Sequence, residues 1–323
     1  MRITSAKKYR YRYPICEILT LQKPKTVVIG YLAAFLSALL VGSISTASKP
    51  VLSSVSPLLL SSVIYLLAAG VATPLAGKAH LFSIRKKDWL LILVISSLGS
   101  ILAPTLFFMG LQNTSASDTA ILSNGETLFT VLLALALFKE RLKPSGYIAV
   151  ALVLCGVVIV TTNLQFSSLL MDLKKEGNLL VLASMALWAM DNNLSKIIAH
   201  RVEVSRVVQL KSLIGGVVLL LLVISLKIPI NISLLQVPNI LLVGIVGFGL
   251  SLYFFLHGLK RVGTVRTMLI YSSSSIFGLI FASLFLHEEI GVYQVLAVMA
   301  MLSGIFLITR DRQNIEKSTK LDV

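Results

Sequence analysis

Charge is scarce in this chain: only 13% of its 323 residues are Asp, Glu, Lys or Arg, where a soluble domain carries about a quarter. With 56% apolar residues and a mean hydropathy of +0.89, the composition excludes a soluble enzyme, a fibrous protein and a disordered tail. Cysteine is nearly absent: Cys16 and Cys155 form neither a disulfide framework nor a C-x-x-C signature. The four histidines, His80, His200, His257 and His287, lack H-E-x-x-H or comparable spacing, so no metal and no cofactor is expected. A nucleotide-binding loop is missing, which excludes ATP as a direct energy source within the chain. H-x4-D and DxxD-type clusters are missing as well, which argues against a membrane enzyme. Repeated charged rings and a filter-like sequence are missing too, which disfavours a channel.

Long apolar runs are what the chain has instead. Ten of 18 or more residues are readable, at roughly 27–47, 55–77, 89–110, 116–138, 145–163, 178–199, 205–226, 238–257, 265–286 and 290–309. Backbone amides must be paired inside lipid, and the runs are too long for barrel strands, so each is expected to be a helix. The basic first 26 residues do not read as a secretory signal. With that segment placed in the cytoplasm, 24 of the 29 Lys and Arg fall on inside segments and four outside. Lys211 alone falls deep within a span, Lys196, Arg206 and Arg266 at the cytoplasmic ends of their runs being counted with the inside segments. This asymmetry follows the positive-inside rule and predicts both termini in the cytoplasm. It also places the positive charge between spans rather than on a nucleic-acid-binding face, so no nucleic-acid partner is expected.

A shift of 148 residues aligns 108–162 with 256–310 without a gap. Gly110 meets Gly258, Thr119 meets Thr267, Phe129 meets Phe277, Glu140 meets Glu288 and Gly156 meets Gly304. At a shift of 147, Ser48-Lys49 meets Ser195-Lys196. The predicted fold is therefore all-α and integral to the membrane, with ten transmembrane helices in two five-helix repeats at 27–163 and 178–309. A basic tail (1–26), an external linker (164–177) and a C-terminal tail (310–323) complete it. Because five is odd, the second repeat enters the membrane inverted relative to the first. Inverted repeats give inward-open and outward-open states of similar energy, with a site between the halves near the midplane.

The stretch Gly110 to Gly156, GLQNTSASDTAILSNGETLFTVLLALALFKERLKPSGYIAVALVLCG, resembles the second part of an EamA domain of the drug/metabolite transporter superfamily. The copy from Gly258 to Gly304 fits more loosely, and Lys49 and Lys196 match the basic residue that tends to end the first helix of each half. Departures are Val41-Gly42 where many members have Trp-Gly, Ile64 near a common Arg, and Ser123-Asn124-Gly125-Glu126 in place of a usual Pro. The resemblance implies a ten-helix carrier of small metabolites, commonly an exporter of amino acids or related compounds, in a prokaryotic cell membrane.

Three charged residues do not belong in lipid, where each costs about 2.5–3.5 kcal/mol at a helix centre. Glu126 lies roughly 15 Å into the fourth run at 1.5 Å per residue. Asp191 in the sixth run and Lys211 in the seventh share a short connection and are close enough to meet. That pair either docks two helices or opens when substrate competes. If all three ionise, the buried sum is one negative charge. Glu126 is then protonated in some states, balanced by a cationic substrate group, or hydrated; otherwise it is a quiet hydrogen-bonded acid. Trp188 and Asn192 share a helix face with Asp191, whereas Asn193 turns off it. Asn124, Tyr271 and Ser274, the last being the repeat counterpart of Glu126, complete the candidate substrate or proton site. The serines of Ser272–Ser275 also read as close-packing residues. Lys49 and Lys196 are expected to snorkel, Glu140 and Glu288 to cap or pair, and Asp118, Gln112 and Asn113 to be solvated.

The function expected is secondary transport of a small amino acid- or amine-like metabolite by alternating access, with protons and membrane lipids as further partners, and export as the direction. The alternative is a flippase of an amphiphile or lipid-linked sugar. A carrier requires a midplane cavity with polar residues from both halves, and a flippase a groove open sideways to lipid. No residue is expected to be catalytic.

Overall fold

The computed structural model describes residues 24–76, 84–138, 144–162, 176–199, 201–262 and 264–321, all helix and connections. The helices are α1 (Pro24–Ser48), α2 (Pro57–Leu75), α3 (Lys86–Ser96), α4 (Ala103–Gln112), α5 (Ala116–Leu122), α6 (Asn124–Phe138) and α7 (Pro144–Thr162). There follow α8 (Glu176–Ala199), α9 (Val204–Ser225), α10 (Val237–Leu241), α11 (Ser251–Val262), α12 (Thr264–Tyr271), α13 (Ser274–Leu286) and α14 (Val292–Leu321). Pairs that continue directly into each other reduce these to ten rods among the described residues. Among the described residues, five stretches are long and apolar enough to cross a membrane: Val27–Ser53, Pro57–Leu75, Asp88–Gln112, Val204–Ser225 and Leu234–Val262. The continuation of α14 to Leu321 takes in residues that composition assigned to a tail.

Local chemistry sets the ends. Ser56 caps α2 by accepting from the Leu59 amide at 3.2 Å, with Pro57 opening the first turn, where a missing N–H costs nothing. Ser115 caps α5 in the same way, accepting from the Asp118 amide at 2.9 Å. The packing is inverted relative to a soluble protein. Leu90, Tyr147, Leu221, Leu284 and Phe285 are exposed, whereas Ser37, Ser61, Ser62, Ser184 and Ala34 are buried between helices. A lipid-covered bundle needs this arrangement, because small side chains let backbones approach while tails solvate the large ones. At the α4–α8 crossing, a Cβ on Gly110 would lie 2.6 Å from the Gly177 carbonyl oxygen; any side chain there would force the helices apart.

The repeat is visible in the packing. Helix α1 packs on α11 and α13, and α8 packs on α4 and α6; α2 packs on α9, and α7 on α14. Exchanging the halves maps this set of pairs onto itself. The irregular turns obey the same exchange. A π-helical turn at Ser97–Leu102 joins α3 to α4, and another at Leu242–Leu250 joins α10 to α11. The 148-residue shift carries the first into the second. The fourth run breaks at Ser123 and the ninth after Tyr271, again one shift apart. At both breaks the ladder tightens to i−3 bonds, Glu126 N to Ser123 O at 3.1 Å and Ile276 N to Ser273 O at 3.0 Å. Uninterrupted helices were expected there; apolar content alone does not register a break.

Candidate functional site

The symmetric irregularities surround one cavity of about 90 Å³. The first half contributes Ser45, Tyr65, Phe107, Ser123 and Glu126; the second contributes Trp188, Asp191, Asn192, Lys211, Phe248, Ser251, Tyr271 and Ser274. Its volume has room for several water molecules or a small organic group. Glu126 stands in the first turn of α6, directly after the break, and Ser274 in the first turn of α13. The two breaks therefore deliver the repeat-related pair Glu126 and Ser274 to the same space.

Side-chain partners order this interior. Lys211 donates to Asp191 Oδ2 in an ion pair whose side chains are each 3% exposed. Ser195 Oγ donates to the other carboxylate oxygen of Asp191 at 2.9 Å. Glu126 receives a hydrogen bond from a neutral group, the amide of Asn192, at 2.6 Å. The π-turn in the third rod supplies an acceptor: the Gly99 carbonyl takes the Tyr65 hydroxyl at 2.7 Å and the Trp188 indole N–H at 2.9 Å. A π-turn leaves the regular i−4 ladder, and this frees such groups for other partners. Gly99 itself presses on the ion pair, since a Cβ there would lie 2.2 Å from Asp191 Oδ2. Aromatic rings close one wall: Trp188 lies 5.3 Å from Phe107 and 6.2 Å from Phe248, and Tyr65 lies 5.3 Å from Phe248, centroid to centroid.

Of the candidates named from sequence, Glu126, Trp188, Asp191, Asn192, Lys211, Tyr271 and Ser274 line the cavity. Asn124 is not among its lining residues: its amide donates to Ser275 Oγ at 3.0 Å and approaches Met301 Sδ at 3.9 Å. Asn193 docks α8 on α6, donating to the Thr130 carbonyl at 3.2 Å. Tyr65, Phe107, Phe248, Ser45 and Ser251 were missed. The signals near them are weak: Gly99 within a small-residue stretch, and Gly244, Gly247 and Gly249 crowded into one run.

Several residues expected at the surface are engaged instead. Asp118 is buried and accepts from Gln294 Nε2 at 2.9 Å, because α14 crosses over it. Lys49 is half-buried and donates to the carbonyls of Leu111 at 2.8 Å and Gln112 at 3.2 Å, at the end of α4. Gln112 and Asn113 are both exposed, as expected, and the Gln112 amide also donates to the Leu52 carbonyl at 3.1 Å. Glu288 caps α5, accepting from the amides of Ala116 at 3.0 Å and Ser117 at 2.9 Å. Glu140, the Lys196 side chain and most of the basic N-terminal tail (1–23) lie outside the described residues.

Comparison with known proteins fits this architecture. The chain is similar to an uncharacterized transporter of Methanothermobacter thermautotrophicus, 29% identical over 296 residues, covering 86% of this chain and 85% of the relative. It is also similar to the uncharacterized transporter YyaM of Bacillus subtilis, 21% identical over 223 residues, 68% of this chain and 73% of that one. A solved crystal structure shares the fold at a TM-score of 0.63 and 19% identity, over 90% of this chain and 99% of the other. The EamA-like transporter family matches residues 28–162 and 175–310, two copies meeting at the cavity, and the chain belongs to that family of multi-pass membrane transporters.

Proposed function

We propose that the protein is a secondary carrier, not an enzyme, that moves a small amino acid- or amine-like metabolite out of a prokaryotic cell by alternating access. Its ten rods cross the plasma membrane as inverted repeats, with both termini in the cytoplasm. The observation that carries this reading is the Glu126 carboxylate, which lines a cavity built by both halves and is paired with a neutral amide. An unpaired carboxylate away from bulk water is costly, so it holds either a proton or a cationic substrate group. A carboxylate that alternates between the two exchanges one proton for one substrate molecule, which is electroneutral for a monocationic amine and carries one positive charge inward for a zwitterionic amino acid. An inward proton gradient then drives the substrate outward. The near-equal halves supply the two access states.

The test uses the full chain in proteoliposomes loaded with mixed amino acids, amines, nucleosides and organic anions. The expected result is efflux of an amino acid or amine driven by an outside-acid pH step, with internal acidification read by a trapped dye, and loss of both signals in Glu126→Gln. Movement of a fluorescent lipid between leaflets, with no solute efflux, overturns the reading in favour of a flippase.

A further inference from the structure

Resting on the carrier reading, the charge arrangement inside the cavity narrows the substrate class. Three acidic or basic side chains line it: Glu126, Asp191 and Lys211. Lys211 is the cation among them, and it is already bonded to Asp191, whose second oxygen is held by Ser195. A substrate carboxylate entering this space finds no unengaged cation. To bind, it would have to take Lys211 from Asp191 and leave that carboxylate buried without a counter-charge, which is strongly disfavoured. A substrate ammonium meets the opposite situation, because among the described residues Glu126 makes no ion pair and hydrogen-bonds to an amide.

The wall beside these groups is aromatic. Trp188, Phe107, Phe248 and Tyr65 form one contiguous set of rings, and the Phe255–Tyr271 pair, 4.8 Å apart, lines the same cavity. The Trp188 indole is fixed in place by its bond to Gly99. Ring faces attract a cation within about 6 Å and also bury an apolar body. We propose that the cavity takes an organic monocation, a single ammonium set against Glu126 with its aromatic or apolar body on the Trp188–Phe107–Phe248 wall, and that it discriminates against amino-acid zwitterions and carboxylates of the same shape.

Three compounds with one common body separate the charges: phenethylamine, phenylalanine and 3-phenylpropionate. Each is titrated against the full-length protein in detergent, with the thermal-unfolding shift as readout, and then offered in counterflow to proteoliposomes. Phenethylamine is expected to stabilise and exchange, with an apparent affinity at least about tenfold above phenylalanine and no response to phenylpropionate. Glu126→Gln should lose the phenethylamine shift and Glu126→Asp retain part of it, with the unliganded melting temperatures showing that both variants fold. Equal responses to phenylalanine and phenethylamine overturn the inference, as does an undiminished phenethylamine shift in Glu126→Gln. Transport of amino acids, nucleosides or anions without phenethylamine overturns the inference and leaves the carrier standing. No transport of any solute overturns both.

Discussion

At the residue scale, the Asp191–Lys211 pair is a buried constraint that ties α8 to α9. Both side chains are removed from solvent, and Gly99 closes over the carboxylate so tightly that no Cβ fits. Removing one partner leaves a buried charge alone, which costs about 3–5 kcal/mol. Lys211→Met is therefore expected to lower thermal stability sharply, and Asp191→Asn similarly. The double variant should recover much of the loss, because a neutral pair strands nothing. Detergent melting curves for all four proteins complete the cycle, and simple additivity of the two losses overturns the pairing as a stability element. Counterflow by the double variant then separates docking from a substrate role: full transport assigns the pair to docking alone, and folded protein without transport assigns it to the transport cycle.

At the element scale, the halves grip each other through helix ends. Glu288, from the connection between α13 and α14, caps α5 of the other half and places a carboxylate at a positive helix N-terminus. Loss of a cap costs about 1 kcal/mol, and loss of the charge at the helix dipole about 0.3–1 kcal/mol more. Glu288→Gln should thus melt measurably lower than Ser117→Ala, which removes the hydroxyl contact and keeps the two amide bonds. Equal melting of both variants and the parent chain sinks this reading. The sequence showed that Glu288 sits at a helix end and repeats Glu140, but not that its target lies in the opposite repeat. Contacts between halves leave no trace in a hydropathy pattern. The breaks at Ser123 and after Tyr271 were equally silent, since a broken helix and a whole one share the same apolar content. Asn124 shows the cost. At about 100° per residue, two positions back from Glu126 is a turn of about 200°, so a cavity-facing Glu126 directs Asn124 toward α13 and α14. Knowing that Glu126 faces inward would have excluded Asn124; the sequence gives polarity without that reference direction.

At the scale of the whole molecule, the exchange symmetry of the packing ties the topology to the mechanism. The mapping of α1–α11 and α1–α13 onto α8–α4 and α8–α6 gives two equivalent ways of arranging the same rods about one cavity. For that exchange to alternate access between the two membrane faces, the halves must be inverted, which an odd number of crossings in each produces. The charge asymmetry fits the same topology: with all ten runs taken as crossings, 24 of the 29 Lys and Arg fall on inside segments. Single cysteines test this directly. In a background with Cys16 and Cys155 replaced by serine, Leu235→Cys, which is 89% exposed in the connection between α9 and α10, should react with a membrane-impermeant maleimide in intact cells. Lys317→Cys, in the C-terminal segment, should react only after permeabilisation. Labelling of both in intact cells would mean that an even number of crossings separates Leu235 from Lys317, and hence the second half's entry from its end. Inverted five-helix repeats would then fail, and alternating access by exchange of the halves would fail with them.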